Sequence, residues 1–302
     1  EEYIHENGLG KKKLDKFYPR SFNLGVRKDV FESLNGFSAM RFGEDIDFQK
    51  FNQQIKEKMI TVNNILEYLK EKYPLDTGCD FDNVGLLVGD ENAAVTKAVV
   101  CLDCDINTVN FAKEIGAELI ITHHPVIFLG LKNILAGGVI YELVRSNISV
   151  ISMHTNLDIA VGGVTENLCA AIGLTNVKPY VAHDGFLIRE ADCPIHDADA
   201  LASHIKSSLG GAVRYADSGK EINRVLVYSG SGGDFLTDVI DGAFDALISA
   251  DIKHNVFIDA VNNGVSVFDA GHYQSENVIV KPLLNELKSI KDYYGISVRS
   301  IH

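Results

Sequence analysis

The chain has 302 residues, of which 46% are hydrophobic and 23% are charged, and its formal net charge is −13. This balance predicts a packed, soluble core rather than a disordered chain. The acidic excess argues against sequence-independent nucleic-acid binding, which needs Lys and Arg to neutralise phosphates. Carboxylates gathered in one site would instead attract metal cations.

The sequence gives no sign of membrane insertion or of a disulfide framework. No apolar run reaches the ~20 residues that span a bilayer, and the charged N-terminus has no visible signal peptide. We therefore expect a cytoplasmic protein with no membrane contact. Five scattered cysteines do not suit paired disulfides. Cys101 and Cys104 form a C-x-x-C pair, for which a zinc or redox role is the alternative, but Cys101 ends the apolar run AVVC and is interpreted as a buried strand residue.

A boundary is predicted near residue 58. Residues 1–58 have their own character, with KKK at 11–13 and a polar end, QKFNQQIKEK. After them, Thr61 is placed to cap a helix whose apolar residues recur at helical spacing. These residues are Val62, Ile65, Leu66 and Leu69.

Strands and helices then alternate along the chain. In the first half this order predicts a parallel sheet with helices on its faces. The predicted strands there are 97–103, 118–124 and 148–158, and the helices are 107–116, 137–147 and 161–174. The second half has the same alternation without a residue-level repeat. Its predicted strands are 186–191, 212–217, 224–230, 245–250, 265–272 and 295–300, and its helices are 197–210, 233–243, 251–264 and 275–290.

Polar side chains follow three of the predicted strands. ELIIT runs into His123 and His124, ISVIS runs towards Asp158, and VSVFDAG runs into His272, with Glu276 four residues later. Ligands of α/β sheets bind beyond the carboxyl ends of the strands, so these residues are candidate metal ligands. Imidazole and carboxylate together suit Zn, Fe, Mn or Co, and two ions ~3.5–4 Å apart can activate a water.

Each candidate also has a structural alternative. A histidine at a strand end is often a satisfied structural residue, His272 and Glu276 suit a helix surface, and Asp158 suits a helix cap. His154 is a candidate general acid/base or outer ligand. Softer candidates, which either orient a ligand or cap an element, are Asp82, Asp103, Asp105, Asp251 and His254. His183, His196 and His204 are interpreted as surface residues, and SGSGGD (229–234) as a βα turn or, alternatively, an anion-binding loop.

Residues 59–302 resemble the NIF-three-like dinuclear metal-centre family, also called GTP cyclohydrolase I type 2 homologs. The stretches that carry the resemblance are FDNVGLLVGD (81–90), CLDCD (101–105), ELIITHHPVIF (118–128), HTNLD (154–158), SADIKH (249–254) and DAGHYQSEN (269–277). The resemblance implies two divalent metal ions per subunit, held by His123, His124, Asp158, His272 and Glu276. The family usually has Trp where Phe81 stands, which is a conservative aromatic exchange.

The resemblance also implies an architecture and an assembly. Two similar α/β domains face each other across a metal-containing cleft, with one lobe formed by 59–178 plus 270–302 and the other by 179–269. The segment 174–184 is a short connection, as expected for the compact form of the family. The implied assembly is a toroidal homohexamer. The implied activity is water attack on the purine ring of GTP, although no clear guanine-reading pocket is visible in the sequence.

Residues 1–58 resemble something else. The stretch SFNLGVRKDVFESLNGFSAMRFGEDIDF (21–48) is similar to the tail of a family-2 glycosyltransferase domain, whose acceptor-site acidic pair falls on Glu44 and Asp45. The nucleotide-sugar-binding half is missing. We therefore expect a fusion remnant or truncated domain with no activity of its own.

The favoured function is a metal-dependent hydrolase of a nucleotide or similar small molecule. The alternatives are a non-catalytic metal-binding or metal-delivery protein, and a regulatory ring-forming protein whose metals are structural.

Overall fold

Two β-sheets organise the part of the chain described by the structure, a computed structural model in which residues 59–294 and 297–300 are described. The glycosyltransferase-like stretch and its Glu44 and Asp45 lie outside the described residues. Within them the α/β class predicted from the sequence is confirmed.

The first sheet has the strand order β1-β4-β3-β2-β11. Its four strands from β4 to β11 run parallel, as the βα alternation predicts, and β1 adds an antiparallel edge. The strand β1 is absent from the sequence predictions because it begins with Gly85 and is followed by Gly89, so its short apolar stretch resembles a glycine-bounded loop. The strands are β1 (Gly85–Val88), β2 (Lys97–Cys101), β3 (Leu119–Thr122), β4 (Ser149–Ser152) and β11 (Ser297–Ser300).

Helices cover both faces of this sheet because alternate strand residues point to opposite sides. Ala98 and Val100 face helices α1 and α10, whereas Val99 and Cys101 face α2 and α3. Thr61 caps α1 as predicted, and Gly116 ends α2 in the left-handed conformation. The helices are α1 (Val62–Lys72), α2 (Ile106–Ile115), α3 (Val139–Arg145), α4 (Thr155–Ile159), α5 (Val164–Ala171) and α10 (Val280–Tyr294).

The second sheet has the order β5-β6-β8-β9-β10-β7, with only β8, β9 and β10 parallel. Its strands are β5 (Thr175–Val181), β6 (Leu187–Asp192), β7 (Arg214–Ala216), β8 (Arg224–Ser231), β9 (Ala246–Ala250) and β10 (Ser266–Asp269). Its helices are α6 (Ala198–Leu209), α7 (Leu236–Asp241) and α8 (His254–Asn262).

The segment predicted as a plain connection, 174–184, contains the edge strand β5. Its sequence TNVKPYV has a mostly exposed pattern and includes Pro179, which lacks a backbone donor. Both features suit an edge strand and hide it from a search for apolar runs.

The chain passes from the second sheet back to the first through α9 (His272–Glu276). This helix follows β10 and is joined by a 3-10 turn, Asn277–Ile279, to α10, which packs on the first sheet. None of the helices in the described ranges is long and apolar enough to cross a membrane.

A buried arginine joins the segment after α4 to the second sheet. Arg189 of β6 is fully buried, and its Nε donates to Glu166 Oε1 at 3.0 Å. Its guanidinium also donates to the carbonyls of Ile159, Ala160 and Ile188. All three of its nitrogens are therefore paired, as a buried charge requires.

We expect Arg189→Met to lower the free energy of unfolding by about 3 kcal/mol, because it removes the donor to Glu166 Oε1 and to three backbone carbonyls. Urea denaturation in the presence of a chelator measures this without a contribution from bound metal. The control is Arg224→Met on β8, whose pair with Glu190 is exposed and should change stability by less than about 1 kcal/mol. Equal losses of unfolding free energy in the two variants would contradict a stabilising role for the buried contacts of Arg189.

Candidate metal centre

The strand ends bring the five predicted ligands together. His123 and His124 directly follow β3, and Asp158 lies in α4, which begins just after β4. His272 and Glu276 are the first and last residues of α9, so one helical turn places them on the same side. Asp158 does not cap its helix, since the N-cap position is taken by His154.

Three of these side chains form a buried inner group. His123 Nε2 lies 3.7 Å from Asp158 Oδ1 and 3.7 Å from Glu276 Oε1. All three side chains are at most 3% exposed. Two carboxylates and one imidazole thus converge in a space closed to solvent.

The second, outer group uses the other oxygen of the same glutamate. Glu276 Oε2 lies 2.8 Å from His124 Nε2 and 3.0 Å from His272 Nε2. The two imidazole nitrogens are 3.3 Å apart. These histidines are 24% and 35% exposed, so the outer group opens to solvent while the inner group does not.

Each of the two groups could hold a metal cation, and Glu276 offers an oxygen to both groups. The ligand atoms of each group lie within 4.8 Å of one another. His123 Nε2 and Glu276 Oε2 are buried, and neither makes a hydrogen bond of suitable geometry. A buried polar atom without a partner is costly, so each of these atoms is suited to contact a further group. A Cβ on Gly230 would come within 2.3 Å of Glu276 Oε1, so the glycine leaves room for the carboxylate.

A partner on the Nδ1 nitrogen orients each of the three candidate histidine ligands. His124 Nδ1 is 2.7 Å from Asp103 Oδ1, and His272 Nδ1 is 2.7 Å from Asp251 Oδ2. His123 Nδ1 is 2.8 Å from the carbonyl of Met153, to which it donates. Because Nδ1 of each ring is hydrogen-bonded, Nε2 faces the other candidate ligands. Histidines that bind a metal through one ring nitrogen usually have such a partner on the other nitrogen.

Asp158 receives its partners from the second sheet. Ser229 Oγ donates to Asp158 Oδ1 at 2.8 Å. Thr165 Oγ1 accepts from the Ser229 amide and lies 2.9 Å from Ser229 Oγ. Because the Ser229 proton is used on Asp158, Thr165 must donate to Ser229. This buried chain links α4, α5 and β8 at the inner carboxylate.

The carboxylates of Asp158 and Glu276 favour positive charge on the groups around them. Burial lowers the pKa of His123, but Asp158 and Glu276 outweigh it and raise that pKa to about 9. The close approach of the Glu276 carboxylate is the main cause that raises the pKa of His272 to about 9. Protons on imidazoles or bound cations are the two ways to supply that charge, and deprotonated ligands exchange one for the other.

Comparison with known proteins places this chemistry in a family. Residues 60–302 match the profile of Duf34/NIF3 (NGG1p interacting factor 3), which is most of the chain. The chain belongs to the Duf34/NIF3 family. It is 32% identical over 247 residues to a GTP cyclohydrolase 1 type 2 homolog of Clostridium perfringens, covering 76% of this chain and 92% of that relative. It is also 32% identical over 256 residues to the GTP cyclohydrolase 1 type 2 of Helicobacter pylori, covering 78% and 97%.

Solved structures of the Duf34/NIF3 type superpose on the same region. The Staphylococcus aureus hypothetical protein SA1388 aligns with a TM-score of 0.74 at 28% identity, covering 80% of this chain and 96% of that one. Reduced HcgD from Methanocaldococcus jannaschii aligns with a TM-score of 0.69 at 27% identity, covering 80% and 97%. The family resemblance drawn from the sequence is thereby confirmed.

His154 lies beside both groups in this Duf34/NIF3 site. Its Nδ1 is 2.8 Å from Asp82 Oδ1, and Asp82 Oδ2 accepts from the amide and hydroxyl of Thr155. Burial opposes the ionisation of Asp82, but these hydrogen bonds outweigh it and lower its pKa to about 2. A ring nitrogen of His154 lies within 4.8 Å of nitrogens of His123 and His124, and Nε2 is the one left free.

Other candidates have structural roles. Asp105 caps α2 through the Thr108 amide, and His254 is an exposed residue at the start of α8. Burial raises the pKa of Cys101, and burial is also the main cause that raises the pKa of Cys104 to about 12, so neither is a ready thiolate. Among the described residues, the groups suited to a metal contain no cysteine. His183 and His196 are exposed and His204 is half-buried.

The sequence did not reveal the residues that hold the candidate ligands in place, because these residues come from distant segments. Met153, Ser229 and Gly230 lie against candidate ligands, and Thr165 holds Ser229, yet their residue types are common in strands and turns. The only signal was the glycine-rich SGSGGD. In the structure its first residues end β8 beside Glu276, so its glycine serves close packing with a ligand.

We expect Asp103→Ala to weaken metal binding at the outer group about 10–100-fold, because His124 loses the carboxylate that orients it. Chelator competition measures the affinity. The matched control, Asp105→Ala, removes a helix cap two residues away and should cost about 1 kcal/mol of stability without changing the affinity. Equal affinity in the Asp103 variant and the wild type would contradict the orienting role.

Proposed function

We propose that this protein is a dinuclear metal-dependent hydrolase acting on a nucleotide or a similar small molecule. The observation that carries the proposal is the position of Glu276, whose two carboxylate oxygens face two separate sets of buried or half-buried ligand atoms. No other charged cluster among the described residues converges in this way on one carboxylate.

The proposed inner ion is held by His123, Asp158 and Glu276, and the outer ion by His124, His272 and Glu276. Three protein ligands for each ion leave coordination positions open for water and substrate. The donor set suits Zn, Fe, Mn or Co. Two such ions, when bound, lower the pKa of a water and stabilise the negative charge that develops on the substrate.

His154 is the proposed acid/base residue. Its Nδ1 is fixed by Asp82, which is itself held by Thr155, so its Nε2 points to a defined place beside the ligands. A histidine in this position takes a proton from the attacking water or gives one to the leaving group. The carboxylate behind it keeps the tautomer with the proton on Nδ1.

The substrate class draws on the relatives. Two of them carry the name GTP cyclohydrolase 1 type 2 or its homolog. That name favours a nucleotide over a peptide or an ester as the molecule hydrolysed.

A second candidate is metal storage or delivery with the same ligands. It is favoured by the exposure of the outer group, whose orienting carboxylates Asp103 and Asp251 are 60% and 57% exposed. An ion held there can reach solvent directly. Release of one of two bound ions to a mild chelator, combined with no hydrolysis of any nucleotide, would favour this candidate over the hydrolase.

The organisation of the chain is also part of the proposal. We take residues 1–58 as an extension and 59–302 as the metal-centre unit, with lobes 59–178 plus 270–302 and 179–269. The family profile begins at residue 60, which supports the first division, and the second sheet begins with β5 at Thr175, four residues before the proposed start of the second lobe. A cytoplasmic homohexamer is the proposed assembly, and sedimentation velocity tests it.

We expect about two metal equivalents per chain in the wild type, and fewer in His123→Ala and Glu276→Ala, measured by elemental analysis after reconstitution. His123→Ala should remove the inner ion only, whereas Glu276→Ala should remove both because it bridges them. His254→Ala is the control and should keep the wild-type content. Metal content unaffected by either ligand change would reject the site.

For the His154→Ala variant we expect full metal content and a turnover number lower by about 10²–10⁴-fold, as for loss of a positioned acid/base group. Water-dependent turnover of a nucleotide panel by the metal-loaded protein is the measurement. His183→Ala, which alters an exposed histidine, should keep the wild-type rate. A His154 variant as fast as the wild type would remove this residue from the mechanism.

A further inference from the structure

We propose that Phe81 and Phe128 form an aromatic platform that binds a planar heteroaromatic ring of the substrate. The inference rests on the proposed function for the chemistry, but it concerns binding and can be tested without turnover. It assigns a recognition role to two residues that hold no ligand position.

The two phenyl rings extend outward from the metal ligands. Phe128 lies edge-to-face against His154, with ring centroids 6.0 Å apart and an interplanar angle of 88°. Phe81 meets Phe128 edge-to-face at 6.3 Å. His154 in turn lies 5.2 Å and 5.7 Å, between centroids, from His123 and His124. A continuous row of rings thus leads from the ligands to the surface.

Both phenylalanines are exposed although they sit beside a buried site. Phe81 is 69% exposed and Phe128 is 45% exposed. Large aromatic side chains are normally buried for most of their area, and exposed apolar groups at the rim of a site mark binding surfaces.

The backbone that presents Phe81 is held in place. The amide of Cys79 donates to Thr155 Oγ1, and Asp82 is bound to both Thr155 and His154. Asn83 Nδ2 donates to the carbonyl of Ile127, next to Phe128. The two segments that carry the rings are therefore tied to each other and to α4, and the platform is organised before a ligand arrives.

Charge around the centre explains why a ring is the expected occupant. The side chains that surround the ligands include the carboxylates of Asp82, Asp103 and Asp251. An anionic substrate must place its phosphate or oxyanion on the metals, since these carboxylates repel it. The neutral part of the substrate must then be recognised by other contacts. Aromatic side chains can stack on any nucleobase, because every base has a π-face.

The test uses the absence of tryptophan from the sequence. Phe81→Trp places a single indole in the platform, where a stacked base should quench its fluorescence. The metal-loaded variant is titrated with guanosine 5′-monophosphate and, separately, with ribose 5-phosphate, which has the same phosphate but no ring. The control is Val144→Trp, on an exposed residue of α3 at the end of the sheet opposite the ligands.

We expect saturable quenching by the nucleotide in Phe81→Trp, none by ribose 5-phosphate, and none with either ligand in Val144→Trp. By calorimetry, Phe81→Leu should bind the nucleotide more weakly than the wild type by about 10-fold or more, whereas Phe81→Trp should retain the wild-type affinity. Equal affinity in Phe81→Leu and the wild type, or equal quenching by both ligands, would overturn the proposal. So would a change of oligomeric state in Phe81→Leu, which would make the platform a subunit contact. Binding as expected without hydrolysis would reject the proposed activity alone.

Discussion

The sharing of the Glu276 carboxylate is the constraint on which the candidate site depends. Each oxygen faces a different set of candidate ligands, so the surrounding backbone must fix the position of this carboxylate closely. The short helix α9 does this by placing His272 and Glu276 one turn apart, and Gly230 clears the space behind the carboxylate. Because α9 is the crossover between the sheets, two of the candidate ligands lie on the segment that connects them.

The two ligand groups differ in their surroundings. The inner group is oriented by neutral partners, the Met153 carbonyl and the Ser229 hydroxyl, in a space without solvent. The outer group is oriented by exposed carboxylates and opens to water. Burial raises the energy of an uncompensated charge, so the inner position favours a firmly retained ion. The outer position suits an ion that meets substrate, and this difference underlies both candidate functions.

Chemistry and recognition are arranged along one side of the site. Asp82 fixes His154, and the loop that includes Asp82 also presents Phe81. A change in that loop would therefore alter proton transfer and ring binding together. The hydrogen bonds that hold it come from Thr155 and the Ile127 carbonyl, so the rigidity of the rim derives from the same strand ends that supply the ligands.

Local patterns in the sequence determined the elements and the ligand types. The apolar runs predicted β2, β3, β4, β8, β9 and β10, because strand periodicity is a local property. The polar residues after three of the predicted strands indicated the candidate ligands, because strand-end chemistry is also local. Only the tertiary structure decided that β1 and β5 are edge strands, since their pairing depends on partners far along the chain. It also decided which carboxylate each histidine meets and that Ser229 reaches Asp158 across 71 positions. Such contacts depend on how helices and strands far apart in the sequence pack together, which no local pattern encodes.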